Sequence, residues 1–456
     1  MSIPPVFQEF SVVWPDIDYA MSVEDPQLNG ARTRAGKRSF KMNRDPLPQP
    51  LKRQLSTNTG FKFFGLVDAV AKHNEPTTTQ MDALERSYNA TSEYIMGSSE
   101  FADLILQVHP QGSRALGTII RPMRQRPEGF DIDSVLRLKR AAMQKYGQDP
   151  AALINDLHAV VKRYAEAHGL ALKRWERCVT LEYADGMCVD ITPIIDDPRV
   201  GIRYGDTHAR VPDRRLKLFE PTNPKGLSDA FSMAARVQAV FSVSKAMTLD
   251  EAIVRGELQP LPDAVEVQSR LLSRLVQLLK LHRNVAFGTA AMGPDFSPKS
   301  VFITVLAATA YASRAPIAHD SPLDLLLDIV DMMPLFIRRE PLVGGGEYWE
   351  LPNQTAPGDN LASGMNTPQH QQAYLQWHLR LKADLQDVLE CIEQRRGLDE
   401  LLQIVQRCFG GRAAQAVREL EAPRAGSPSG RRLVTVGTAG TGALLLPSRG
   451  HTFYGD

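Results

Sequence analysis

The stretch FDIDSVLRL, Phe130 to Leu138, decides the fold, because it alternates between apolar and acidic residues as a half-buried strand does. On a strand, Asp131 and Asp133 share one face, while Phe130 and Ile132 turn to the other and into a core. Downstream, RCVTLEY-ADG-MCVDITPII is two alternating runs around Asp185-Gly186, a strong hairpin signal because both residues tolerate positive φ. Its second run carries Asp190 between apolar Val189 and Ile191. If that strand lies beside the first, three carboxylates converge on one solvent-facing patch. Hard oxygen ligands in such a cluster suit divalent cations, and transfer of a phosphoryl group needs those cations to hold phosphate oxygens and activate a hydroxyl.

Two aspartates two residues apart are weak evidence in a chain with 52 acidic residues, where several such pairs occur by chance on solvated strand faces. The neighbourhood strengthens the signal. Before the strand stand Gln111-Gly112-Ser113 and then Gly117-Thr118. A Gly-Ser turn lets backbone amides and a hydroxyl approach phosphate oxygens closely. Either glycine alone reads as an ordinary turn. Gly-Ser, Gly-Thr, D-x-D on a strand and a flanked Asp in a hairpin form a much rarer combination.

The rest of the chain bounds the function. It has 456 residues, 53 Lys plus Arg against 52 Asp plus Glu, and 43% hydrophobic residues, an ordinary globular balance with room for two domains. Near-neutral charge argues against a dedicated duplex nucleic-acid binder, which carries a broad basic field. Cys178, Cys188, Cys391 and Cys408 are scattered, which argues against a zinc site or a disulfide framework. The start MSIPPVFQEF lacks the pattern of a signal peptide, no apolar run reaches the roughly 18 residues of a membrane span, and a cytoplasmic location is expected.

Four segments are expected. Residues 1–58 form a basic, disordered arm, or one that touches nucleic acid or a partner: eight basic residues and only Asp45 as an acid lie between Arg32 and Arg53. Residues 59–224 form a mixed α/β core, with helices from Thr79 and over Ala151 to His168. Residues 225–422 form a mostly helical domain, with helices over Ala264 to Val285, Val301 to Tyr311, Leu323 to Met333, Gln369 to Glu393 and Arg412 to Leu420. Between these, Glu347 to Pro368 reads as a long ordered loop, and Asn353, Asp359 and Asn360 are placed there rather than in a nucleotide pocket. Residues 423–456 form a flexible linker and a tail.

The motifs resemble those of the DNA polymerase β-type nucleotidyltransferase superfamily. Within it, the chain is most similar to the bacterial cGAS/DncV-like nucleotidyltransferases (CD-NTases). The resemblance rests on VHPQGSRALGTIIRP, FDIDSVLRL, VDITPII, PTNPKGLSDAF, VQLLKLHRNVAF, SPKSVFITVLAATAY and HTFYGD, and spans about residues 60 to 456. It implies an α+β fold: a polymerase β-type core, mixed sheet with helices, plus a C-terminal helical domain like that of oligoadenylate synthetase. It implies that Asp131, Asp133 and Asp190 hold two Mg²⁺ ions, with Mn²⁺ as a substitute. Gln111, Gly112 and Ser113 match the turn for the donor phosphates. Lys280 matches a lysine that reaches the triphosphate, and Ser300 a hydroxyl at a helix start. Arg121 and His282 lie in these motifs without an assigned role.

The activity implied is the joining of ribonucleoside triphosphates, ATP among them, into a cyclic oligonucleotide second messenger for antiphage defence. The resemblance also implies an accessory regulatory protein that binds the C-terminal tail. Two rival readings stay open: transfer of a nucleotide to an RNA, protein or small-molecule acceptor, and an inactive scaffold that recruits partners through the tail. Retention of all three carboxylates counts against the scaffold.

Overall fold

The computed structural model describes residues 57–121, 131–183, 186–241, 264–288, 295–421, 431–436 and 444–449. The expected arm and most of the tail lie outside the described residues. Within the segment expected as a linker and tail, two strands, Arg431–Val436 and Leu444–Arg449, pair antiparallel.

The chain enters through two helices, α1 (Thr57–Asn74) and α2 (Thr78–Met96). Helix α2 starts at a capping box: Thr77 Oγ1 accepts from the Gln80 amide at 3.3 Å, and Gln80 Oε1 accepts from the Thr77 amide at 3.0 Å. Strand β1 (Ile105–Pro110) then leads through a short helical turn, α3 (Gly112–Ala115), towards β2 (Asp131–Leu138). After α4 (Ala142–Tyr146) comes α5 (Pro150–His168), started by Asp149 as its cap with Pro150 in the first turn, and stopped by Gly169 at φ 64°.

Strands β3 (Ala171–Arg174), β4 (Val179–Glu182), β5 (Cys188–Asp196), β6 (Ala209–Asp213) and β7 (Leu218–Thr222) complete a seven-stranded mixed sheet. The order is β1-β2-β5-β4-β3, with β6 pairing β5 and β7. The expected hairpin is β4–β5, and β5 runs parallel to β2 on its other side. That parallel pairing brings the two acidic strands together.

Alternation sorts each strand between two faces. Leu136 and Leu138 of β2 and Val189, Ile191 and Ile195 of β5 pack with Leu153, Leu157, Val160 and Val161 of α5. The opposite face carries Asp133 and Asp190, and further along Val135, Ile194, Ala209 and Val211 make a small cluster of their own.

The second core is helical. It joins α6 (Pro224–Ala235), α7 (Ala264–Gly288), α8 (Ser300–Arg314), α9 (Pro322–Met332), α10 (Pro368–Glu393), α11 (Leu398–Phe409) and α12 (Gly411–Glu421). Helix α1 belongs here too: Phe63, Phe64, Leu66, Val67 and Val70 are buried in this core, and α1 packs against α12, α7 and α9. The packing therefore does not follow the expected division at residue 59. The segment expected as a loop holds a strand, Glu347–Glu350, paired to Arg338–Pro341. Beyond it, asparagine side chains replace regular structure: Asn360 Oδ1 accepts from the Leu351 and Ala362 amides at 2.9 and 2.8 Å, and Asn353 Nδ2 donates to Asp359 at 2.8 Å.

Sheet and helical layers meet at Asn223. Its Oδ1 caps α6 by accepting from the Gly226 amide, and its Nδ2 donates to the carbonyls of Tyr204 and Thr355, each at 2.8 Å. Asn223→Ala removes the cap and leaves two carbonyls short of a donor, so we expect a loss of about 2–4 kcal/mol. Urea unfolding at constant m value checks this, and a loss under about 0.5 kcal/mol would mark the junction as dispensable.

Candidate active site

Parallel pairing of β2 and β5 sets Asp133 directly beside Asp190, and Asp131 beside Cys188. On the far side of β5, Asp190 faces Thr180 of β4. Asp133, Asp190 and Thr180 thus form one row across three strands, on the face away from α5. Asp131 opens β2 two positions before Asp133 and shares its place in the alternation; its side chain lies outside the described residues.

The row crowds like charges in a partly buried site. Burial, and then the charge of Asp190, push the Asp133 carboxyl up to about 6, against an opposing pull from Lys280. Asp190 is also raised, mainly by burial, while the Thr180 hydroxyl holds its carboxylate in the opposite sense. Burial, and then the nearby Arg283, lower Lys280 to about 8. Among the described side chains the site offers two carboxylates rather than a cluster of three acidic, His or Cys groups. These are hard oxygen donors with unbalanced negative charge, and such a set fits a divalent cation.

The turn before β2 is built against this row. The Gln111 amide donates to the Asp133 carbonyl at 2.8 Å, and Gly112 sits at φ 60°. A Cβ on Gly112 would lie 1.9 Å from Asp133 Oδ2, so glycine is required twice, for its dihedral and for its missing side chain. The Ser113 carbonyl accepts from the Thr118 amide at 3.0 Å, which closes the turn.

Helix α7 fixes the next segment. Lys280 Nζ donates to the Thr118 carbonyl at 3.0 Å, and Gln277 Nε2 to the Ile119 carbonyl at 3.1 Å. Arg274 supports Gln277 at 2.9 Å and pairs with Asp68 at 2.9 Å and with Glu75 of the α1–α2 connection. One turn on, Arg283 Nη1 donates to Ser300 Oγ at 2.8 Å. Lys280 therefore stands electrostatically between Asp133 and Arg283, and Arg283 holds Ser300 at the start of α8. Arg121 donates its amide to the Asn74 carbonyl at 2.7 Å, and His282 meets Asp384 at 3.0 Å in the helical core; both are structural here.

Sequence reasoning missed Thr180 and Gln277, and named Thr118 only as part of the Gly-Thr turn, without its partner on α7. For Thr180 a signal existed: Tyr183 pairs with Met187 across the hairpin turn, and counting back places Thr180 opposite Asp190. Nothing local marks the partners of α7.

A family model described as the Second Messenger Oligonucleotide or Dinucleotide Synthetase domain matches residues 68–234, which contain the whole row and the turn. A c-di-GMP synthase of Roseivirga ehrenbergii is 25% identical over 406 residues, 86% of this chain and 97% of that protein. The matched domain and this relative support a place for the chain among the CD-NTases. It is a nucleotidyltransferase. The cyclic dinucleotide synthase CdnG of Bradyrhizobium diazoefficiens is 26% identical over 223 residues, 47% of this chain and 51% of that protein. The structure of the Bradyrhizobium diazoefficiens CD-NTase CdnG in complex with GTP shares the fold, with a TM-score of 0.54 at 20% identity over 81% of this chain and 100% of that one. So does E. coli MS115-1 CdnC, solved in a complex with HORMA-deltaN, with a TM-score of 0.50 at 15% identity over 76% and 97% of the two chains. The mixed sheet with a helical second body is thus the α+β CD-NTase architecture.

Two expectations follow for this site. Gly112→Ala should lower turnover by about 100-fold or more, because the new methyl displaces Asp133. Gly117→Ala, at φ 62° with no atom near the added carbon, carries strain alone and should cost far less; steady-state rates of the two variants decide. The second concerns charge. Because the folded-state value for Asp133 lies above its ordinary 3.8, ionisation penalises the fold, with no penalty below about pH 4 and the full penalty above about pH 6. Asp133→Asn should therefore melt higher than the parent in EDTA at pH 7.5, and the two should converge near pH 4 by thermal denaturation.

Proposed function

We propose that this CD-NTase condenses ribonucleoside triphosphates, ATP among them, into a cyclic oligonucleotide second messenger, and that it serves bacterial antiphage signalling in the cytoplasm. The observation that carries the reading is the Asp133–Asp190 pair with the backbone of Gly112 packed against it. The c-di-GMP synthase and the GTP-bound CdnG among its relatives add GTP to the substrates to be tested. Among the described residues no helix is long and apolar enough to cross a membrane.

Asp131, Asp133 and Asp190 would hold two Mg²⁺ ions. Such ions, when bound, neutralise triphosphate charge and favour the ionised form of an attacking hydroxyl. The chain's own groups supply the rest. Amides and the Ser113 hydroxyl in the turn after Gln111 receive the donor phosphates, with Lys280 and Ser300 beyond them. A ribose hydroxyl of the acceptor attacks the α-phosphorus, its new P–O bond replaces the bond to pyrophosphate, and Asp190 accepts or orients the proton that leaves. The rate comes from positioning and charge rather than from a covalent intermediate. A second such step within the linear product closes the ring. An accessory regulatory protein acting through residues 423–456 is part of the same proposal, as the CdnC–HORMA-deltaN complex offers a precedent in a protein of this fold.

The test is to incubate the protein with labelled ribonucleoside triphosphates and Mg²⁺ or Mn²⁺, then treat with phosphatase. A labelled, phosphatase-resistant product is expected, sized by mass spectrometry, and absent from the Asp131→Asn/Asp133→Asn variant. Products that phosphatase degrades would instead identify a transferase making linear chains.

A further inference from the structure

The row of acidic residues continues outward. Asp133, Asp190, Thr180 and Lys173 are successive partners across β2, β5, β4 and β3. Thr180 is buried, and its Oγ1 makes two hydrogen bonds. One comes from the indole Nε1 of Trp175 at 2.9 Å, and the other joins it to Asp190 Oδ1. An indole N–H can only donate, so the threonine oxygen accepts there. The single hydroxyl proton is then directed to the carboxylate, which when ionised can only accept.

Trp175 is itself half exposed, at 53%, yet it is firmly placed. Its amide donates to the Cys178 carbonyl at 2.9 Å, which closes the β3–β4 turn. That turn is tied to the β6–β7 turn by Arg177 to Asp213 at 2.9 Å and by the Arg214 amide to the Glu176 carbonyl at 3.0 Å. An exposed ring with an anchored N–H is well suited to orienting a group rather than to filling a core.

We propose that Thr180, oriented by the Trp175 indole, is a positioning residue for Asp190. It occupies Oδ1 and thereby fixes the carboxylate plane, and Oδ2 is left without a hydrogen-bond partner among the described residues, available to a divalent cation and to the acceptor hydroxyl. Outer partners of this kind fix the orientation of the ligand they touch. The inference rests on the reading of Asp190 as a cation-holding carboxylate.

The experiment uses the full chain and two readouts, Mn²⁺ binding by electron paramagnetic resonance without nucleotide, and kcat for product formation. Thr180→Val keeps the volume and removes the hydroxyl; it should weaken Mn²⁺ binding and lower kcat by about tenfold or more, while Thr180→Ser stays within about twofold of the parent. Trp175→Phe frees the hydroxyl to rotate without touching β4, and should shift both readouts in the same direction by less. It keeps the test alive should Thr180→Val fail to fold. In an Asp190→Asn background, Thr180→Val should add nothing further to the loss of Mn²⁺ affinity. Equal damage from Val and Ser, or Mn²⁺ binding unchanged in Thr180→Val and Trp175→Phe, would overturn the proposal while leaving the site standing. Undiminished Mn²⁺ binding by Asp190→Asn would overturn the site itself.

Discussion

Two carboxylates placed side by side by parallel strand pairing repel each other, and most of what surrounds them manages that repulsion. Asp133 and Asp190 sit in register on β2 and β5, both partly buried. The opposite face of the same strands, packed on α5, makes the register hard to slip, because a shift by one residue would bury the acids and expose Leu136 and Ile191. Around the pair stand a glycine with no room for a side chain, a threonine hydroxyl and a lysine on the long helix. Each either satisfies an oxygen or makes space for something positive. Bringing the two acids together has an electrostatic cost, which a bound cation would offset.

Much of this was legible in the sequence because it is local. FDIDSVLRL alternates, so its acids share a face; Asp185-Gly186 turns a hairpin; Pro150 and Gly169 bracket a helix. Alternation alone pairs Asp131 with Asp133, and Asp190 joins them on a condition of strand order that the sheet meets. What was not legible depends on contacts distant in sequence. Lys280 reads as one more lysine on a helix until Thr118 is seen opposite its amine. Helix α1 has an apolar face, but an apolar face does not say which of two bodies it covers. Helix α11 was missed although Gly397 and Gly410 flank it, since its apolar residues Leu401, Leu402, Val405 and Phe409 span only three turns. Residues 347–368 read as a loop because the asparagines that organise it act through side chains, and propensity does not register those.

The long helix α7 works as a ruler between the two bodies. Gln277, Lys280 and Arg283, spaced by three, address in order the Ile119 carbonyl, the Thr118 carbonyl and Ser300. The turn that follows Gln111 is thus held from one side by the sheet, through the Asp133 carbonyl, and from the other by a rigid helix. Gln277, Lys280 and Arg283 are set by one element, so their spacing does not depend on loops.

The contact of α1 with α12 gives the chain an unusual order of events. Phe63, Phe64 and Val67, near the start of the described chain, share a core with Ala413 and Val417 near its end. The sheet body, from β1 to β7, is in topological terms an insertion within the helical one. During synthesis the sheet and α5 have all their partners early, whereas α1 must wait for α7, then α9, and finally α12, which begins more than three hundred residues beyond it. The first of the described helices is therefore among the last to gain all its partners, and the turn after Gln111 is held from both sides only when the second body closes over it.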